Sequence, residues 1–274
     1  MELIKEALKR AKAAGVVDLR EERAPTTHTE LAPTAPTPLA PAWAPPRVVL
    51  DPIHLSEQRI VSYAMTDPSH VAFNLLRTKV YKEMKANGWK SLAVLSPSAG
   101  CGKTTVSINL AFSLSRQPNC KTVLIDLDLK KSGIGKALGV KAPGSIGSFL
   151  EGKGRVEDSF IQLTDNLIVG LNDAPIKNSS EYLQDESVNN IIDAAVDLLK
   201  PDVLLFDLPP MLSSDDAIGF LPLVDCSLMI AAADLSTAAE IDECERQARA
   251  AGNYLGLILN KYRGATSEYY QPGY

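Results

Sequence analysis

Ser96-Pro97-Ser98-Ala99-Gly100-Cys101-Gly102-Lys103-Thr104-Thr105 is a run of small residues that closes on Gly-Lys-Thr. It follows a short apolar run, Leu92-Ala93-Val94-Leu95, and leads into an apolar segment from Val106 to Leu114. Strand, small-residue loop, then Gly-Lys-Thr opening a helix is the pattern of a phosphate-binding P-loop. Small side chains let backbone N–H groups turn onto phosphate oxygens, and the helix N-terminus adds the positive end of its dipole. Ser98, Ala99, Gly100, Cys101, Gly102, Lys103, Thr104 and Thr105 are the expected nucleotide cradle. Lys103 is expected to reach the β- and γ-phosphates, and the Thr104 hydroxyl to hold Mg2+. Cys101 is expected to fill its position through its backbone alone. One departure stands in the loop: the full pattern has Gly or Ala five residues before Gly102, and this chain has Pro97.

Two other apolar runs end in acid. Val123-Leu124-Ile125-Asp126-Leu127-Asp128 places two carboxylates past a strand end, and Val203-Leu204-Leu205-Phe206-Asp207 places a third, followed by Leu208-Pro209-Pro210. In an open parallel sheet the ligand lies outside the carboxyl ends of the strands. All three acids can therefore converge on the loop. Mg2+ prefers hard oxygen ligands and keeps several waters, so a hydroxyl with one or two carboxylates suits Mg–ATP. Thr104, Asp126 and Asp207 are the expected metal residues. Lys103, Asp126 and Asp128 are the expected catalytic ones.

The last apolar run ends Leu259-Asn260-Lys261-Tyr262-Arg263. A guanine-reading Asn-Lys-x-Asp motif would have Asp where Arg263 stands. Asn260 therefore reads either as an adenine contact or as an ordinary strand-end residue. Four of the eight tyrosines, Tyr262, Tyr269, Tyr270 and Tyr274, fall in the last thirteen residues. The residues around them are too polar to bury those rings. Tyr269, Tyr270 and Tyr274 are the expected phosphate acceptors.

Positioning these groups requires alternating strands and helices. Short apolar runs at 91–96, 122–126, 167–170, 203–207, 226–231 and 255–259 read as strands, most of them continuous enough to be buried on both faces. Helical patterns at 103–116, 186–200, 214–222 and 237–251 lie between them. The alternation predicts an α/β P-loop fold, a mostly parallel central sheet flanked by helices on both faces. Upstream, residues 1–23 carry a short amphipathic helix over 2–14. Residues 24–50 hold seven prolines among Ala and Thr and read as an extended linker. The expected division is helix 1–23, linker 24–50, catalytic domain 51–264 and tail 265–274.

Composition sets outer limits. A chain of 274 residues with 45% apolar content suits one large α/β domain with appendages. A net charge of −5 gives no reason to expect nucleic acid as a partner. No run approaches the roughly 18 to 20 apolar residues of a membrane span. The first residues lack the apolar core of a secretion signal. Four scattered cysteines without a Cys-x-x-Cys pair fit a cytoplasmic, reducing setting.

Taken together, residues 55–274 resemble the bacterial tyrosine kinases of capsule and exopolysaccharide synthesis, within the Min/Par-like branch of P-loop ATPases. The resemblance rests on the Pro-containing loop, the Asp126-x-Asp128 pair, Asp207-x-Pro209-Pro210, the Asp216-Ala217 pair and the tyrosine-containing tail. It implies an ATP- and Mg2+-dependent kinase that phosphorylates tail tyrosines of a neighbouring copy in trans. It also implies a membrane-embedded polysaccharide co-polymerase, or chain-length activator, that recruits the protein to the inner face of the membrane. Two departures accompany it. Lys130 stands where the family has Arg, and Val71 and Asn74 stand where the family's ring-forming helix has Glu and Arg, with Arg77 retained. Ring assembly through that helix is not expected. The alternative is a non-catalytic or Min/Par-like ATP-binding assembly factor for polysaccharide export. Such ATPases carry a second loop lysine where Ser98 stands here.

Overall fold

Runs such as Leu92–Leu95 and Leu204–Phe206 carry apolar side chains at every position, so a strand made of them must be covered on both faces. The computed structural model describes residues 43–176, 179–185 and 187–263. It forms a seven-stranded sheet: β1 Ser91–Leu95, β2 Thr122–Asp126, β3 Phe160–Thr164, β4 Leu167–Gly170, β5 Val203–Asp207, β6 Cys226–Ala232 and β7 Tyr254–Asn260. The order is β3-β4-β2-β5-β1-β6-β7. All neighbours are parallel except β3 and β4. The expected mostly parallel α/β sheet is therefore present.

The two-residue period of a strand divides the core. Leu92 and Val94 of β1 and Leu205 of β5 join one apolar cluster with Val106, Leu110 and Leu114 of the helix Lys103–Ser115, and with Val80 and Met84 of the helix His70–Asn87. Ala93, Leu95, Leu204 and Phe206 point the other way. They meet Ile191 and Ala195 of the helix Ser187–Leu199, Phe220 of the helix Asp216–Phe220, and Cys244 and Ala248 of the helix Ala238–Ala251. The helix Lys103–Ser115 lies between the sheet and the helix His70–Asn87, and eleven of its residues are buried. A helix that is apolar nearly all round belongs in such a place.

The sequence pattern misses β3, which pairs antiparallel with β4 across the tight Asp165-Asn166 connection. The stretch expected as linker also ends sooner than 50. Arg47 bridges to Gln162, and Val48 N–H donates to the Gln162 carbonyl at 3.1 Å. Leu50 is buried. Residues 46–50 therefore continue the domain beyond the edge strand. The expected helix at 214–222 is a helix over Asp216–Phe220 followed by a 3-10 turn, Leu221–Leu223. The amphipathic segment 1–23, the linker as far as residue 42 and the tail tyrosines Tyr269, Tyr270 and Tyr274 lie outside the described residues. Among the described residues, no helix is long and apolar enough to cross a membrane.

Candidate nucleotide-binding site

The parallel strands deliver the chemistry to one end of the sheet. β1 ends at Leu95 and runs into the small-residue loop, while β2 and β5 end on Asp126 and Asp207, which are register partners. The loop is anchored from below by the segment after Asp207. Met211 N–H donates to the Ser96 carbonyl at 2.9 Å, and Leu212 N–H to the Pro97 carbonyl at 3.0 Å. Pro97 thus serves the loop as an acceptor, a role that needs no N–H of its own.

The far side of the loop is held by β7. Asn260 Nδ2 donates to the Cys101 carbonyl at 2.9 Å, and Lys261 Nζ to the Gly100 carbonyl at 2.6 Å. In a trans peptide the N–H points opposite to the preceding C=O. Drawing these two carbonyls towards β7 turns the Cys101 and Gly102 amides away from it. Gly100 and Gly102 have φ of 87° and 86°, a left-handed backbone that favours glycine. A Cβ at Gly102 would lie 2.3 Å from Asn260 Nδ2. Gly102→Ala is therefore expected to cost both the backbone turn and the Asn260 bond. Nucleotide affinity, read by calorimetry, should fall about fivefold or more, since a strained φ of this kind costs of order 1–3 kcal/mol. Unchanged affinity would mean that the loop is not the cradle. The Asn260 amide nitrogen thus braces the loop from the end of β7.

Asp207 is the hub beneath the loop. It is fully buried and accepts hydrogen bonds from Lys103 Nζ at 2.9 Å, Thr104 Oγ1 at 2.7 Å and Ser107 Oγ at 2.9 Å. Lys103 is itself buried, so this is a buried ion pair. Ser107 stands one helical turn beyond Lys103, on the same face. Sequence reasoning passed over it, although that spacing was available as a signal.

Asp126 is also fully buried. Its carboxyl accepts from the Asp128 amide at 3.2 Å and the Ile134 amide at 3.1 Å. Burial, reinforced by Asp207, pushes its carboxyl up to about 8. Asp128 is raised as well, mainly by burial, with Lys103 pulling the other way. Asp128 differs in access, because it lines the cleft and Asp126 does not. That cleft, about 430 Å3, runs from Ser96 over the loop to Thr105. Asp128, Lys131, Ser132, Gly133 and Lys136, from the segment after β2, line it too, as do Pro210 after β5 and Lys261 after β7. Cys101 turns its thiol away from open solvent, with Sγ 3.4 Å from Ser236 Oγ.

These donors fit Mg2+. The Thr104 hydroxyl and the Asp126, Asp128 and Asp207 carboxylates are all hard oxygen groups gathered at one strand end. Among the described residues no three His, Cys, Asp or Glu side chains form a complete metal cage. Mg2+ held by few protein ligands, by waters and by nucleotide phosphates requires none.

A strand-ending acid pair, a glycine-hinged loop and a Lys-Thr helix start on a parallel sheet define a nucleotide-binding architecture. The profile of the CobQ/CobB/MinD/ParA nucleotide binding domain matches residues 92–272. The chain belongs to this family.

Within the family, its relatives include tyrosine kinases. It is 28% identical to tyrosine-protein kinase CpsD of Streptococcus pneumoniae serotype 4 over 204 residues, covering 72% of this chain and 86% of that protein. It is also 28% identical to tyrosine-protein kinase wzc of Salmonella typhi, over 76% of this chain and 29% of that one. The kinase domain of Escherichia coli tyrosine kinase ETK superposes with a TM-score of 0.68 at 26% identity, covering 78% of this chain and 84% of that domain. The cell division ATPase MinD of Pyrococcus furiosus shares the fold, with a TM-score of 0.54 at 24% identity over 64% of this chain and 73% of that one.

The structure also joins two residues that the sequence offered separately. Lys130 Nζ pairs with Asp216 Oδ1 at 3.1 Å. Asp216 further accepts from Ser179 Oγ at 2.7 Å and from Ser180 Oγ. Burial would raise the Asp216 carboxyl, but the Ser180 and Ser179 hydroxyls and Lys130 outweigh it and hold it below the usual range. The pair ties the loop after Asp128 to the helices Ser179–Gln184 and Asp216–Phe220.

Proposed function

We propose that this chain is an ATP- and Mg2+-dependent protein-tyrosine kinase of exopolysaccharide or capsule synthesis that phosphorylates its own tail tyrosines in trans. The observation that carries the reading is Asp128, a carboxylate with a raised pKa on the wall of a P-loop cleft. A tyrosine phenol has a pKa near 10, so a base close by is useful at neutral pH. Asp128 would take the phenol proton. Lys103 and the loop amides would stabilise the charge of the transferring phosphoryl group, and this work is mostly positioning and electrostatics. Thr104, Asp207 and Asp126 would hold Mg2+, which neutralises phosphate charge when bound. Kinase names among the relatives support the same reading.

Tyr269, Tyr270 and Tyr274 are the proposed acceptors. Ten residues beyond Gly264 reach about 35 Å when extended. That spans the width of a domain, enough to enter a neighbouring site and awkward for folding back into the chain's own. The proposed partner is a membrane-embedded polysaccharide co-polymerase, which would hold the protein at the inner face of the membrane and bring copies together. The test mixes a Lys103→Met protein, tail intact, with an active protein lacking residues 265–274. Label on the former, rising with concentration, is the expected result. No label on the Lys103→Met protein, while intact active chains incubated alone are labelled at a rate independent of concentration, would contradict transfer in trans.

A further inference from the structure

The cleft carries more positive charge than the P-loop supplies. The loop holds one lysine, Lys103, and its ammonium is engaged by Asp207 at 2.9 Å. Lys130 is likewise engaged by Asp216, and Lys261 Nζ by the Gly100 carbonyl. Lys131 and Lys136 differ. Both line the cleft, both are exposed, and among the described residues neither has an ion-pair partner within 4 Å.

Their placement is built by the chain. The Lys131 and Ser132 amides donate to the Asp128 carbonyl at 3.0 and 2.9 Å, closing a turn directly after the acid pair. Ser132 adopts a φ of 43°, and Asn172 Nδ2 donates to its hydroxyl at 2.8 Å. Gly133 follows, so close to the metal-site threonine that a Cβ there would lie 3.2 Å from Thr104 Oγ1. The helix Ile134–Leu138 then carries Lys136, whose carbonyl lies 3.2 Å from His54 Nε2. The turn and the short helix thus present two ammonium groups on the cleft wall, Lys131 near enough to Asp128 to pull its carboxyl down, and neither in an ion pair within 4 Å among the described residues.

We infer that Lys131 and Lys136 form a second phosphate clamp, which grips the terminal phosphate of a nucleoside triphosphate and makes the site selective for triphosphate over diphosphate. A triphosphate brings about one more negative charge than a diphosphate, and two cations in a partly enclosed cleft act most strongly on that extra charge. The clamp is supplied by the same chain as the loop. The inference rests on the nucleotide-kinase reading above and adds specificity to it.

The experiment measures Mg–ATP, Mg–ADP and AMP affinity by calorimetry for the full chain, for Lys131→Met, Lys136→Met and their double variant, and for the double Lys→Arg variant. Both lysines are exposed, so thermal melting should be unchanged. The double Met variant should lose at least about tenfold in ATP affinity and under about threefold in ADP affinity, with AMP unaffected. The Arg variant should keep ATP affinity, and the parent's preference for ATP should shrink as salt rises. Equal losses for ATP and ADP would overturn the triphosphate assignment. An unchanged ATP affinity with a raised KM for an acceptor tyrosine peptide would overturn the clamp and assign these lysines to the acceptor. A parent that binds no nucleotide would overturn the kinase reading and this inference together, whereas a parent that binds ATP as tightly as the double variant overturns the inference alone.

Discussion

Lys103→Met is expected to abolish nucleotide-induced stabilisation and also to lower the melting temperature. The second effect follows from burial. Lys103 and Asp207 form a buried pair 2.9 Å apart, and removing the ammonium leaves a buried carboxylate without its cation. Breaking such a pair from one side costs about 3–5 kcal/mol. Thr104 and Ser107 still donate to Asp207, which favours the low end of that range. For a domain of this size about 3 kcal/mol is a fall of roughly 6–12 °C. Differential scanning with and without Mg–ADP reads both effects. A variant that melts like the parent and still gains from Mg–ADP would show that Lys103 neither pairs as described nor touches the nucleotide.

The two buried acids should separate when each is changed to Asn. Both substitutions are expected to lower phosphorylation at least about a hundredfold, the scale seen when one preorganised charge-stabilising group is lost. Their effects on stability should have opposite signs. Asp207→Asn strands Lys103 and lowers the melting temperature. In the absence of metal, burial and Asp207 push the Asp126 carboxyl up to about 8. An acid whose folded pKa lies above its unfolded value costs stability as pH rises, from the unfolded value near 4 up through the folded value. Asn removes that cost. The Asp126→Asn protein should therefore gain on the parent steadily between about pH 4 and pH 8, with no pH-dependent gain below that window. Melting curves across this range test it. A gap that is flat with pH would mean that Asp126 is ionised in the fold.

The strands were legible because a strand covered on both faces reads as an unbroken apolar run, and β1, β2, β4, β5 and β6 are of that kind. β7, also an apolar run, is an edge strand with Leu257 and Leu259 exposed. β3 was not legible. Its Phe160-Ile161-Gln162-Leu163-Thr164 sequence is interrupted by polar residues and turns at once into β4. The helix His70–Asn87 has only Val80 and Met84 fully buried, so its apolar stripe is faint. Within the site, the residue types announced themselves and their pairings did not. Lys103 and Asp207 stand 104 positions apart in the chain, and only the β1–β5 register brings them together. Asn260 shows the converse. A strand-end amide looks outward when read along the chain, yet the left-handed backbone at Gly102 opens the space in which its donor meets a loop carbonyl. Lys131 and Lys136 carry no motif of their own, and only the turn after Asp128 places them on the cleft wall.

The central claim is tested most directly by mass spectrometry of the concentrated full-length protein after incubation with Mg–ATP, in the presence of the candidate membrane partner. Phosphate on Tyr269, Tyr270 or Tyr274, absent from the Lys103→Met protein, is the result the account expects. Bound nucleotide with no phosphate on any tail tyrosine would contradict it and would make the protein a nucleotide-dependent assembly factor.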